Sequence, residues 1–542
     1  MTCIRKCPLV LAVLIALANS PSTAGDELPA LAELEATGAV IGEIQLRKLN
    51  VFDVTQPGEN KSLFRLANRW HIVTRDSVIE QQLLFASGEA FSPRLLEESE
   101  RLLRQNVYLY DAKIKPVAYA DGVVDVEVQT RDLWTLMPGV SISRSGGENR
   151  SRASVSERNL LGRGVSLKLS YADDVDREST SFQYYDKNLG SGWTSLFVEH
   201  ADNSDGRRTD IKVIRPFYAL DTRKSTGATL YDDSREVSFY ELGNEVAEYS
   251  VDTDLHSAFI GWSRGLHNGW VRRWTAGAIY DERNYSAVNN GTLPALIPAN
   301  RKLVYPFIGV EWLQDKFEST SNRDQIDRTE DFYLGTRLWA SMGFAGENLG
   351  SDRDSFIYRI EASRGFGSIE KNALLLSSSL SGRVDDGRSA NREISVNARF
   401  YHQASEKRLL FMTIGGSHGK RLDLDNYVEL GGDTGLRGYP LRYQTGESKL
   451  LLTIEQRYFT DWYPFKLARV GGAIFADAGR SWGDGPLGTR PVGWLKDIGF
   501  GLRLVPTRAS GRDVIHIDVA FPLDGDNTID DVQFLIESKR SF

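Results

Sequence analysis

Cysteine is almost missing from this 542-residue chain, and the two present, Cys3 and Cys7, lie at its extreme N-terminus. Residues 1–24 read as a secretory signal. Arg5 and Lys6 give a basic start, Pro8 to Ala18 is an apolar run too short to cross a bilayer, and Ser22-Thr23-Ala24 suits signal peptidase. Cleavage after Ala24 would leave no thiol, which excludes disulfides, cysteine nucleophiles and thiolate metal sites. Neither cysteine follows the apolar run, so neither suits lipidation. A second long hydrophobic run is also missing: nothing else approaches the ~20 apolar residues of a spanning helix. Positive charge is in deficit, because the net charge of −8 becomes −10 once Arg5 and Lys6 are removed, which argues against nucleic acid as a partner. The histidines have no ligand spacing, so neither a metal nor a cofactor is expected. What the chain does have is 49 glycines and 10% aromatics, a composition suited to strands and turns. Export without a spanning helix leaves a soluble periplasmic protein or an outer-membrane barrel.

Residues 40–132, after a linker over 25–39, mix helix and strand signals. Gly42 to Leu49 alternates as a strand. Thr74 is placed to cap a helix carrying Val78, Ile79, Gln82, Leu83 and Ala86 and ended by Gly88; Ser92-Pro93 opens a second with a Leu95, Leu96, Leu102, Leu103 stripe. Ala112–Tyr119 and Val123–Thr130 follow as a hairpin about Ala120-Asp121-Gly122. The order strand, helix, helix, strand, strand resembles the POTRA module, a periplasmic docking domain found ahead of certain outer-membrane barrels. The 24 residues from Asn50 to Val73 depart from that pattern, and they hold Asn68-Arg69-Trp70-His71, readable as a packed loop or as an interaction surface.

From Leu133 to Phe542 no helix is expected. Short aromatic and β-branched segments alternate with polar loops, and at roughly 25 residues per strand and connection they predict a barrel of 16 strands. The C-terminal strands are plainest. In Lys449–Phe459, Leu450, Leu452 and Ile454 oppose Thr453, Glu455 and Arg457; in Ala468–Asp477, Ile474 and Ala476 oppose Phe475 and Asp477. In Val514–Pro522, Ile515, Ile517 and Val519 oppose His516 and Asp518. The last strand sets Val532, Phe534, Ile536 and Phe542 on one apolar face. Charge on one face and hydrocarbon on the other suits lipid outside and a polar lumen inside. The short turns at Thr460–Pro464 and Pro506–Arg512, with longer connections at the other ends, suit the two unlike rims of such a barrel.

On these residues the chain resembles the BamA/TamA superfamily, the bacterial surface antigen group. Leu436-Arg437-Gly438-Tyr439 is similar to that family's motif on the sixth extracellular loop, and five strands follow it. Phe475-Ala476-Asp477-Ala478-Gly479 is similar to the F-x-D-x-G motif, and Glu157 to Gly164 to an early-barrel E-x-N-L-L-G-x-G segment. The terminal strand ending on Phe542 resembles the signal by which outer-membrane barrels are recognised for assembly. The resemblance implies that Arg437 folds into the lumen and meets Asp477, with Glu455, Arg457 and Asp518 as lumen neighbours. It implies a non-enzymatic protein of the bacterial outer membrane, with its N-terminal domain in the periplasm. Its partners would be outer-membrane lipid, client outer-membrane or exported proteins, and periplasmic chaperones or accessory proteins.

Two functions remain open on the sequence. One is insertion or translocation of other proteins, in an accessory or dedicated role because only one POTRA-like module is present. The other is a passive anchor presenting a periplasmic module. A lipase would rest on Gly261-Trp262-Ser263-Arg264-Gly265 alone, where a turn at Leu266–Gly269 replaces the helix that a nucleophile elbow requires.

Overall fold

Val124, Val126 and Val128 are fully buried while their neighbours along the chain are not, the period-two signature of a strand with one covered face. This strand, β3 (Val123–Asp132), is the centre of a three-stranded sheet, parallel to β1 (Val40–Leu49) and antiparallel to β2 (Leu109–Ala120). The sheet's apolar face is covered by three short helices, α1 (Leu31–Ala36), α3 (Asp76–Glu80) and α4 (Pro93–Arg104), while a fourth, α2 (Ser62–Trp70), packs apart from that core on Val51 and Phe52. Leu34 of α1, Ile79 of α3 and Leu96 and Leu103 of α4 share one core with Ile41, Ile114 and the three valines. The computed structural model describes residues 28–190, 192–288, 297–486, 493–527 and 529–542, so the signal-like residues 1–24 lie outside them.

This unit does not make a clear POTRA domain. The stretch read as a linker contains α1, and the stretch read as a loop contains α2. The expected first helix shrinks to α3, five residues long. Thr74 does not cap it, because its N–H and hydroxyl both donate to Asp132, at 2.8 and 3.0 Å, next to His71 Nε2 at 2.9 Å. A buried carboxylate satisfied by three donors outweighs a local cap.

The remainder is a closed antiparallel barrel of 20 strands, not 16. Fifteen strands precede the Arg437 loop and five follow it. The five after the loop agree with the expectation; the four additional strands lie before it. Glu148–Glu157 and Gly206–Arg215 carry few apolar residues, so period-two hydrophobicity misses them. Hairpins as tight as Leu242-Gly243 and Asn268-Gly269 also place strands closer together than an average spacing allows. Lys224–Glu241, Asn244–His267 and Trp270–Ala287 run 18, 24 and 18 residues, well beyond the ~10 that cross a bilayer. They form a ribbon rising past the rim opposite the N-terminal unit.

Along the wall, outward side chains are apolar and exposed, Val140 by 83% and Phe534 by 59%, while inward ones are polar and buried, as Asp497, Arg503 and Asp518 are. The barrel closes between its first strand, Leu136–Ser145, and its last, Gln533–Lys539, through one register pair, Ile536 with Arg144. The simple contrast of short and long connections does not hold. The N-terminal rim carries the insertion 315–336, which forms its own hairpin from Phe317–Thr320 and Glu330–Tyr333.

Phe542 is not on the lipid-facing side. The last strand ends at Lys539, after which the chain turns inward and Phe542 is 2% exposed, its ring 4.9 Å from that of Phe459. Its N–H donates to the Asp324 carbonyl of the insertion at 2.8 Å. Strand alternation fixes direction only while pairing lasts, and pairing stops three residues earlier.

Candidate functional site: a loop latched inside the barrel

Residues 421–447 connect Arg408–Lys420 to Ser448–Phe459 and fold down into the barrel instead of extending away from it. All of the L-R-G-Y motif is buried or nearly so. Leu436 and Tyr439 are completely enclosed, in a cluster with Leu430, Tyr443 and Leu495. Arg437 makes a forked pair with Asp477, Nε to Oδ2 at 2.7 Å and an Nη to Oδ1 at 3.0 Å, and its other Nη donates to Glu455 at 2.8 Å. Its guanidinium lies 3.3 Å from the centre of the Phe475 ring. Asp518 stands 3.8 Å away, within ion-pair reach and beyond hydrogen bonding. A buried guanidinium without such partners would be strongly destabilising, so the acidic wall determines where the loop rests.

The glycines fit the same geometry. Gly435 has φ +117°, a region that other residues rarely occupy, and a Cβ on Gly438 would lie 2.7 Å from Asp497 Cβ. That close approach lets the Gly438 N–H donate to Asp497 at 3.1 Å. Tyr439 Oη donates to the Lys496 carbonyl at 2.7 Å and accepts from the Lys496 N–H at 2.9 Å.

Glu455 and Arg457 do more than fill the lumen. Arg457 donates to the second oxygen of Glu455 at 3.0 Å, and to the Arg323 carbonyl at 2.8 Å. The insertion at one rim and the loop from the other are therefore joined through Glu455. Asp518 pairs with Arg503, and His516 Nε2 donates to the Ser541 carbonyl at 2.8 Å, holding the C-terminal turn.

A second anchor was missed by the sequence reading. Asp423 and Asp425, on the same loop, meet three arginines of the far wall: Arg383 to Asp423 at 2.6 and 2.7 Å, Arg301 to Asp423 at 2.7 Å, and Arg283 to Asp425 at 3.2 Å. The polarity is reversed, with carboxylates on the loop and cations on the wall. The signal was the Asp-Leu-Asp spacing in a loop already known to carry a lumen arginine. The loop also backs onto the first hairpin. A Cβ on Gly146 would lie 2.4 Å from the Leu441 nitrogen, and Asp433 is 3.9 Å from Arg150. It thus touches the barrel wall on both sides of the single-pair seam.

Ser263 lies within a strand and its hydroxyl donates to the Arg272 carbonyl at 2.9 Å, with no helix after it. Among the described residues no cluster of His, Cys, Asp and Glu has metal-ligand geometry.

No family model and no curated protein matches the chain. Solved structures do. BamA from Haemophilus ducreyi lacking POTRA domains 1–3 aligns over 91% of this chain and 84% of that one, at 12% identity and a TM-score of 0.40. CdiB from Acinetobacter baumannii aligns over 92% and 74%, at 14% identity and a TM-score of 0.45. The FrpB iron transporter from Neisseria meningitidis aligns over 79% and 84%, at 7% identity and a TM-score of 0.41.

Proposed function

We propose that this chain is a bacterial outer-membrane barrel that handles other proteins, as an accessory or dedicated factor in their insertion or export, with its N-terminal unit in the periplasm. The membrane reading is supported by the belt of exposed apolar side chains, which no second layer of protein covers among the described residues. The observation that carries the function is the seam. The first and last strands share one register pair, whereas every other junction of the wall is a ladder of seven or more pairs. Unpaired strand edges at such a seam can template an incoming strand by augmentation. The latched loop touches both sides of the seam and fills the lumen, so its release is the step that would couple lumen and seam. Clients are then outer-membrane or exported proteins, delivered past the N-terminal unit with periplasmic chaperones as further partners.

A photo-crosslinker at Phe534, outward on the last strand, tests this in living cells. Trapping of nascent outer-membrane or exported proteins is expected. If nothing is trapped and deletion of the gene leaves the outer-membrane proteome unchanged, the passive anchor is the better reading. One observation favours that second reading: the lumen is filled from both rims, by 421–447 and by 315–336.

A further inference from the structure

The stretch Asn50–Val73, which fits no simple module, is built against the barrel. Phe64 of α2 stacks on Phe52, ring centres 4.2 Å apart and planes 5° apart, and Asn68 exchanges two hydrogen bonds with the Phe52 backbone at 2.7 and 3.0 Å. Phe52 lies under Arg508, 5.2 Å away, and Arg508 donates to the Val51 carbonyl at 2.8 Å and pairs with Glu59. Arg508 belongs to the turn joining Leu495–Pro506 to Val514–Pro522, so α2 is fixed to the N-terminal rim of the barrel near its seam.

The other face of α2 is left largely exposed among the described residues. Leu63 is 67% exposed and Trp70 70%, with Leu66 between them, a single stripe at i, i+3 and i+7; Ile72 follows. The stripe borders the barrel's own outward surface across one cleft. A cleft of 370 Å³ separates Trp70 and Ile72 from Leu161 and from Leu136, the first outward residue of the first strand. On the other flank Gly58 abuts Lys466, in the turn that exposes Trp462 and Phe465. Lys61, Arg65 and Arg69 are exposed around the stripe.

We propose that α2 is an interfacial helix that immerses Leu63, Leu66 and Trp70 in the phospholipid leaflet on the N-terminal side of the membrane, beside the seam. Its occupant is lipid because the stripe borders the lipid-facing belt, because tryptophan collects at that depth, and because the flanking cations suit phospholipid phosphates. The helix thereby ties the N-terminal unit to the leaflet where the seam ends. The inference rests on the barrel being membrane-embedded.

The test uses the full chain with Cys3→Ser and Cys7→Ser, reconstituted in phosphatidylethanolamine–phosphatidylglycerol bilayers. Single cysteines introduced at Leu63, Leu66 or Trp70 carry an environment-sensitive fluorophore. Glu35, exposed on α1, and Val140, on the barrel belt, serve as references. Shallow nitroxide lipids should quench the three α2 labels at least about threefold more than the label at 35, and aqueous iodide should quench them less. Iodide quenching equal to that at 35, with the label at 140 still lipid-quenched, overturns the proposal and leaves the barrel reading intact. Labels shielded from both quenchers mean a protein cover, a second copy or a partner, and overturn it as well. Failure of lipid quenching at 140 overturns the membrane reading and this inference together.

Discussion

Arg437 and Arg457 share one carboxylate: Glu455 accepts from the first at 2.8 Å through one oxygen and from the second at 3.0 Å through the other. Because Arg457 also holds the insertion 315–336, the loop and the insertion are held through the same side chain. Glu455→Gln is expected to weaken both. Amide exchange should rise together in 421–447 and in 315–336, since glutamine keeps an acceptor but loses the charge that compensates two guanidinium groups. Faster exchange in only one segment would show that they are independent.

Arg437→Ala leaves Asp477, Glu455 and Asp518 facing one another without their shared cation. The expected loss is about 3–5 kcal/mol, read as a lower temperature for conversion of the folded barrel on semi-native electrophoresis. Asp477→Ala should cost a similar amount, and the double variant should fall short of the sum by about 0.5–3 kcal/mol. Full additivity would mean that the fork at 2.7 and 3.0 Å carries no coupling energy.

The C-terminal half was readable because its strands are regular and its charges face one way, so Asp477 could be assigned to the lumen from alternation alone. The contact between Arg437 and Asp477 needed the family resemblance in addition, since no local pattern links residues 40 apart. The strand count fails where the outward face has few large apolar residues, as in Glu148–Glu157, where small Ser151 and Ala153 accompany the single Val155 and whose place is set by its neighbours' ladders. Phe542 and α2 failed for a different reason. Both are positioned by contacts with distant turns, Phe542 by Asp324 and α2 by Arg508, and such contacts leave no periodicity in the chain.

Phe542 offers a direct check on that correction. Phe542→Ala should cost about 3–5 kcal/mol in urea unfolding from bilayers, because the ring is enclosed by Phe459, Gly471 and the cations Arg457 and Arg503. Phe534→Ala, outward and exposed, should cost distinctly less. Equal losses would place both rings in the same environment.

Glu330 gives the insertion a dependence on pH. It lies outside the barrel strands, and burial, together with the neighbouring Asp324, pushes its carboxyl up to about 8, although the Arg323 and Asp324 N–H groups donate to it at 2.9 Å. Arg323, Arg328 and Arg512 also face it. A folded-state value above the unfolded 4.5 means that the native protein binds this proton more tightly. Its contribution is therefore fully present below about pH 4.5 and lost as pH rises through about 8. Exchange protection of 315–336 should fall between pH 5 and pH 9, and Glu330→Gln should flatten that fall. An unchanged slope in the variant would assign the dependence to another group.

A reversible lock across the seam shows whether the seam must open for the protein to work. Arg144 and Ile536 are register partners, and antiparallel partners stand about 4.5–5.5 Å apart at Cα, a span that a disulfide can bridge. In the Cys3→Ser/Cys7→Ser chain, Arg144→Cys with Ile536→Cys should abolish client trapping at Phe534 under oxidising conditions, and reductant should restore it. Undiminished trapping by the fully oxidised chain would mean that clients are handled without opening the seam.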